Sequence, residues 1–233
     1  MSNKVLFSIC LLLCSMTIAS AQVMGGYQSY SNEPVAGASD SKVAVKLGLG
    51  GGVTVSGLTT SNSNYSPLGP RVGFNGGLLL NIRFAPRDEL STAAEGLLAI
   101  QPEIRFSTMG GNNEDAKLGL NDVTVPVMFQ VWPSAKFYIE AGPVACLNIS
   151  HTPNTTTIGD TQYNLAKLKA NDLMLGAGLG FALGNLSVGA RFNYGFSDIA
   201  ANMPWKSWCL QAGLAYSFSL GGKSSRPIDT NPF

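Results

Sequence analysis

The chain has 233 residues, with 15 Lys and Arg against 14 Asp and Glu for a formal charge of +1. That balance offers neither a basic face for nucleic acid nor an acidic tail. Charged residues make up only 12% of the chain, about half the share of an ordinary soluble domain, so much of the folded surface is expected to avoid water.

At the N-terminus, Lys4 precedes an apolar run from Val5 to Ser15, and the small triplet Ala19-Ser20-Ala21 follows. This order predicts a secretory signal peptide over residues 1–21, cleaved before Gln22. Cys14 after Leu13 allows a lipid anchor as a lesser alternative, its plain reading being an apolar-core cysteine. The run is shorter than the roughly 20 residues a membrane-spanning helix needs. No later stretch of that length is free of glycine and polar residues, so helical spans are not expected. Residues 22–41 form a Gly/Ser-rich periplasmic leader, and one domain is expected beyond it.

From Val43 onward the dominant pattern is alternation with a period of two, the signature of strands with two different faces. It covers Val43–Val55, Val72–Phe84, Leu98–Phe106, Val123–Val131 and Phe137–Leu147, where charged and amide residues keep to one parity. In the sixth segment Leu173, Leu175, Ala177, Leu179, Phe181 and Leu183 alternate with Asp172, Met174 and three glycines. Leu186, Val188, Ala190, Phe192, Tyr194 and Phe196 share one parity in the seventh, and Trp208, Leu210, Ala212, Leu214, Tyr216, Phe218 and Leu220 in the eighth. The strands run to about ten residues, the length of a tilted transmembrane strand. A Gly/Ser/Pro tail over residues 221–233 closes the chain.

The connections alternate in length. Ser56–Arg71, Ser107–Asp122, Ser150–Asn171 and Ser197–Ser207 are long and polar, whereas Pro133–Lys136 and Gly184-Asn185 are tight. Short periplasmic turns and long outer loops produce that asymmetry. Residues 85–96 break the rule with a longer connection at the short-turn end, where Arg87, Asp88 and Glu89 suggest a helical turn. The expected fold is therefore all-β: an eight-stranded antiparallel up-and-down transmembrane β-barrel over residues 42–220. A soluble barrel of the lipocalin type is the alternative, but its outer parity should carry Lys and Glu, and here the polar parity is largely Gly, Ser, Asn and Gln.

No Lys, Arg, Asp or Glu falls on the apolar parity of the eight segments, as lipid contact demands. The ionic residues Lys46, Arg83, Glu103, Arg105, Glu140 and Arg191 fall on the other, joined by Asn75, Asn81, Gln101, Gln130, Asn193 and Gln211. In an eight-stranded barrel the interior is just wide enough for side chains to fill, so opposite charges are expected to pair across the axis and plug it. A gated pore is the functional alternative. Pro102, Pro126 and Pro143 cannot donate to the ladder, and bulges are expected beside them. Cys146 and Cys209 lie on strands expected to be non-adjacent, so two unpaired buried thiols are expected.

An ordered set of short motifs then resembles the PorT-like outer-membrane β-barrel proteins of Bacteroidota. It comprises QPEIRFSTMGG (Gln101 to Gly111), VTVPVMFQV (Val123 to Val131), YIEAGPV (Tyr138 to Val144), LGAGLGFAL with VGARFNYGFSDI, and LQAGLAYSF (Leu210 to Phe218). The family's prolines fall where Pro102, Pro126 and Pro143 stand. Unlike barrels that end on an aromatic strand residue, this chain continues past Phe218. The resemblance implies an integral outer-membrane protein, linked in some relatives to secretion and gliding machinery, and no catalytic residues.

Other chemistry is poorly supported by the residues. Ser150-His151 with Asp160 could be drawn as nucleophile, base and orienting carboxylate, yet one His in a Thr-rich loop reads more simply as a solvated residue. One His and two separated cysteines do not make a metal set, and no cofactor is expected. The glycine-rich run around Gly48 lies in a strand with no helix after it, so lumen packing explains it better than a dinucleotide loop. Asn-x-Ser/Thr matches at Asn64, Asn148, Asn154 and Asn185 are chance in so Ser/Thr-rich a chain. The expectation is a non-enzymatic barrel in contact with outer-membrane lipids, engaging other envelope or secretion proteins, with no nucleic-acid partner. A small-solute pore and a lipid- or peptide-modifying enzyme remain alternatives. The oligomeric state stays open, a monomer being favoured.

Overall fold

The computed structural model describes residues 43–60, 67–84, 97–113, 117–152, 155–158, 161–164, 171–199 and 205–220. The expected signal peptide with Cys14, the leader, the 85–96 connection and the tail beyond Leu220 lie outside these residues. Ten strands follow in chain order: β1 (Val43–Thr60), β2 (Leu68–Phe84), β3 (Leu98–Asn112), β4 (Lys117–Val131), β5 (Phe137–Thr152), β6 (Thr155–Ile158), β7 (Thr161–Asn164), β8 (Asn171–Leu183), β9 (Leu186–Gly195) and β10 (Trp205–Ser219). Eight of them close a barrel in the order β1-β10-β9-β8-β5-β4-β3-β2, every neighbouring pair antiparallel. Closure leaves the barrel without an edge, so backbone N–H and C=O groups at membrane depth are bonded to a neighbour.

The expected parity sets the faces. Leu49, Val53, Phe74, Leu78, Ile104, Leu175, Leu179, Leu210 and Leu214 all point outward and are exposed. Asn75, Asn81, Arg83, Gln101, Glu103, Gln130, Glu140, Arg191, Asn193 and Gln211 point inward and are buried. For a molecule in water this would be inside out; for one in lipid it is the low-energy arrangement. Aromatic residues fringe the apolar belt. Phe74 packs on Phe106 with centroids 5.9 Å apart and Phe192 on Trp208 at 6.4 Å, toward the long-loop end. Phe137 packs on Phe181 at 5.0 Å and Tyr216 on Phe218 at 4.9 Å, toward the short-turn end.

Three expectations need correction. The strands are longer than ten residues, reaching 18 in β1 and 17 in β2, because they run on past the aromatic fringe into segments read as loops. The Ser150–Asn171 connection begins as strand, to Thr152, and carries the hairpin β6–β7, joined from Thr155↔Asn164 to Ile158↔Thr161. Finally, the prolines cause no bulge. Pro102↔Val127 and Arg105↔Thr124 keep one register, as do Pro126↔Val144 and Phe129↔Ala141, so each proline forgoes its donor without displacing the chain. The irregularities lie elsewhere, between Ser56 and Leu58, Gly69 and Asn75, and Asn121 and Asp122, all toward the long-loop end. There the barrel must bend to enclose Leu58 and Leu68, both nearly fully buried.

At the other end the turn Gly184-Asn185 is as tight as expected. Gly184 has φ 68°, as a two-residue hairpin with glycine first requires.

Candidate functional site

Inside the barrel, the short-turn half of the lumen is filled by one hydrogen-bonded network. Its centre is Glu103 on β3, which accepts from Arg191 on β9 through a two-pronged fork, Nη2 to Oε1 at 2.6 Å and Nη1 to Oε2 at 3.1 Å. Arg105 Nη1 reaches the same Oε2 at 3.0 Å and Gln101 Nε2 reaches Oε1 at 2.8 Å. The third corner is Glu140 on β5, which accepts from Arg191 Nε at 2.7 Å and from Gln130 Nε2 at 2.9 Å. Two guanidinium groups and two carboxylates thus neutralise each other across the axis. Charge-assisted bonds of this geometry are about twice as strong as neutral ones, and amides satisfy the remaining lone pairs.

Amides extend the network around the wall. Asn81 donates to Gln101 at 2.9 Å and to Gln130 at 2.8 Å, and the Trp132 indole N–H donates to Gln130 at 3.2 Å. Arg105 also donates to Asn75, which donates in turn to Thr54 Oγ1 at 2.9 Å. Gln211 bonds Ser107 at 3.2 Å across the lumen. Side chains from β1, β2, β3, β4, β5, β9 and β10 are therefore tied together, which couples strand register around most of the circumference.

The remaining strand, β8, contributes space. In this half of the lumen its inward positions are glycines: a Cβ at Gly176 would stand 2.5 Å from Asn193 Oδ1, one at Gly178 3.1 Å from Glu140 Oε1, and one at Gly180 would run into the Tyr138 ring. On β1 a Cβ at Gly48 would stand 2.8 Å from Ser217 Oγ, which answers the glycine-rich run there. Bulky polar side chains fill the lumen from one side, and glycines on the other make room for them.

Of the six ionic residues expected in the lumen, four meet in this network: Glu103, Arg105, Glu140 and Arg191. Arg83 and Lys46 are also inward but lie nearer the short-turn mouth. The Arg83 guanidinium sits over the Trp132 ring, 3.6 Å from its centroid, a cation–π contact. Trp132 was not among the expected site residues; its signal in the sequence is its place between β4 and the Pro133 turn, where a bulky aromatic can fold back over the mouth.

The long-loop half of the lumen is different in kind. Leu58, Leu68, Met109, Leu118, Leu120, Met128, Val144, Met174, Ile199 and Trp205 form an apolar cluster with Cys146 and Cys209. Both thiols are free and buried, as expected. Asp122 and Asp172 sit at its edge; Asp122 accepts from Asn148 at 2.8 Å and Asp172 from the Ser207 hydroxyl at 2.8 Å.

Ser150 and His151 do not form a nucleophile–base pair. They are successive residues of β5, so alternation sends their side chains to opposite faces, and the Ser150 hydroxyl accepts instead from Asn121 at 2.9 Å. Asp160 lies outside the described residues. Among the described residues no group of three or more His, Cys, Asp or Glu is placed to hold a metal ion.

A closed barrel with an apolar outer belt, aromatic fringes and an ion-paired lumen defines an integral outer-membrane β-barrel protein. The family profile for the outer membrane protein beta-barrel domain matches residues 28–201, and the chain belongs to that family. It is an outer-membrane protein. No curated protein matches the chain. Among solved structures it is similar to Ail, the attachment invasion locus protein of Yersinia pestis, with a TM-score of 0.45 and 15% identity over 74% of this chain and 98% of that one. It is similar too to Neisserial surface protein A, with a TM-score of 0.43 and 14% identity over 76% and 99%. OprG from Pseudomonas aeruginosa follows with a TM-score of 0.35 and 12% identity over 76% and 97%.

Proposed function

We propose that this chain is a PorT-like member of its family and acts as a non-enzymatic interaction protein of the outer membrane. In this reading the barrel is a sealed, rigid post, and its two aqueous ends engage other envelope or secretion proteins. The observation that carries it is the filling of the lumen: among the described residues the cavity beside Glu103, Arg105 and Arg191 has a volume of about 60 Å³, room for a few waters. The ordered motifs from Gln101 to Phe218 support the finer family assignment. The order of Lys4, the apolar run and Ala19-Ser20-Ala21 supports export by a signal peptide, and N-terminal sequencing of the mature protein should begin at Gln22.

The test is Glu103→Gln, which removes one of the two carboxylates while keeping the shape of the side chain. The expected outcome is a lower unfolding midpoint in urea with no new ionic conductance in planar bilayers. A large conductance in either the parent or the variant would show a gated pore. The interaction role is checked by crosslinking in intact cells followed by purification in detergent, where a reproducible envelope partner is expected and its absence counts against the reading.

A further inference from the structure

Pro102, Pro126 and Pro143 all fall in one wall, β2 to β5, and in two neighbouring rows of its pairing. One row runs through Pro102↔Val127 and Pro143↔Leu175, the next through Leu79↔Glu103 and Pro126↔Val144. Each proline keeps its pairing with the following strand and interrupts the pairing with the strand before. The β2–β3 ladder passes from Leu79↔Glu103 to Ile82↔Ile100, the β3–β4 ladder from Pro102↔Val127 to Arg105↔Thr124, and the β4–β5 ladder from Pro126↔Val144 to Phe129↔Ala141, each with its register kept. In an antiparallel ladder the N–H of a residue faces one neighbour only, so each of these three pairs lacks one donor.

The other five pairs run unbroken through the apolar belt. Pairing is continuous from Phe137↔Phe181 to Leu147↔Asn171, from Met174↔Gly195 to Leu183↔Leu186, from Trp208↔Tyr194 to Tyr216↔Leu186, from Lys46↔Ser219 to Thr60↔Trp205 and from Val43↔Phe84 to Ser56↔Arg71. The interruptions lie beside Leu78, Ile104 and Leu175, all exposed on the lipid side, where no water replaces a missing donor. Side chains bridge what the backbone leaves open. Asn81 on β2 donates to Gln101 on β3 at 2.9 Å, Gln130 on β4 donates to Gln101 at 3.2 Å, and Gln130 donates to Glu140 on β5 at 2.9 Å. Each interrupted pair is thus crossed by a lumenal side-chain bond, and Gln130 makes two of the three.

We infer that the β2–β5 wall is a latched seam: it is the part of the barrel that opens first at mid-bilayer, and the side-chain bonds centred on Gln130 hold it shut. The inference goes beyond the barrel's role as a post for partners and does not rest on it, for the post is rigid only while the latch is made. The small cavity of the lumen touches Leu79, Gln101 and Glu103 on the seam and Ala190, Gln211 and Ala212 on β9 and β10. Water held there stands equally near both walls, so a difference in amide exchange between them reports the ladder and not access to water.

The test is backbone hydrogen exchange, read by mass spectrometry on the full-length barrel folded in phosphatidylcholine vesicles. Segments 78–82, 100–105 and 124–129 should exchange about tenfold faster than segments 176–180, 188–192 and 210–214, the effect of one ladder bond lost per pair. Gln130→Ala should raise exchange in the first three segments by about tenfold more and leave the other three unchanged, with heat-modifiable gel mobility confirming the fold. Pro143 is exposed on the lipid side, so Pro143→Ala opens no hole in the lumen. It returns a donor to β5, and segment 124–129 should then exchange about tenfold more slowly. Equal protection of the two walls in the parent overturns the seam, and exchange raised around the whole barrel by Gln130→Ala overturns the latch. Pro143→Ala matching the parent overturns the missing donor as the cause. Where Gln130→Ala does not fold, Asn81→Ala cuts the β2–β3 bond and tests the latch on segments 78–82 and 100–105, unchanged exchange there overturning it.

Discussion

The two halves of the lumen are packed by opposite rules. Toward the short turns, Glu103, Glu140, Arg105 and Arg191 meet in ion pairs surrounded by amides. Toward the long loops, Leu58, Leu68, Leu118, Met109 and Trp205 pack as in a water-soluble domain. The difference follows from what lies outside the wall. Beside the network the outer face is Leu78, Ile104, Leu179 and Leu214, facing lipid, so the scarce polar side chains are gathered inside. Met109 and Trp205 lie three residues beyond Phe106 and Trp208 of the aromatic fringe. There the wall stands in water, and the apolar side chains take the interior. One barrel is thus inside out at membrane depth and right side out above it.

This contrast can be broken first at Arg191. Arg191→Met leaves Glu103 and Glu140 buried without their shared cation, and removing one partner of a buried ion pair costs about 3–5 kcal/mol. Urea unfolding in lipid vesicles should show a loss of that size. In the apolar half, Met174→Ala should cost about 2–5 kcal/mol by loss of buried volume, because the closed wall cannot collapse into the space. Unlike the first variant, its cost should be insensitive to salt. On the outer face, Leu214→Arg should cost about 2–4 kcal/mol in a bilayer if it sits near mid-depth. Indifference to that charge would mean that Leu214 does not face lipid.

How much of this was legible in the sequence varies along each strand. Between the aromatic fringes, alternation alone separates lipid-facing from lumenal residues, and it puts Glu103, Arg105, Glu140 and Arg191 on the inward parity, where they meet in ion pairs. Past the upper fringe the sense of the alternation reverses. In β4, Leu118 and Leu120 turn inward while Lys117 and Asn121 turn outward, and in β10 Trp205 is buried beside a half-exposed Lys206. A reading that follows one apolar face loses the strand where the solvent outside changes from lipid to water, so these stretches read as loops. Prolines misled in the other direction: a missing donor was taken for a bulge, yet the register passes through Pro102 and Pro126 unchanged. The Arg83–Trp132 contact was hidden because the two residues are distant in sequence and meet only when β2 and β4 enter the same wall.

The most direct test of the account is a double-mutant cycle on Glu103→Gln and Arg191→Gln, measured by equilibrium unfolding in vesicles. A lumen held by their fork predicts a double variant that is less destabilised than the sum of the singles, with a coupling of about 1–3 kcal/mol. Additive effects, within about 0.5 kcal/mol, would show that the two charges are independent and that the barrel is not closed by pairing across its axis.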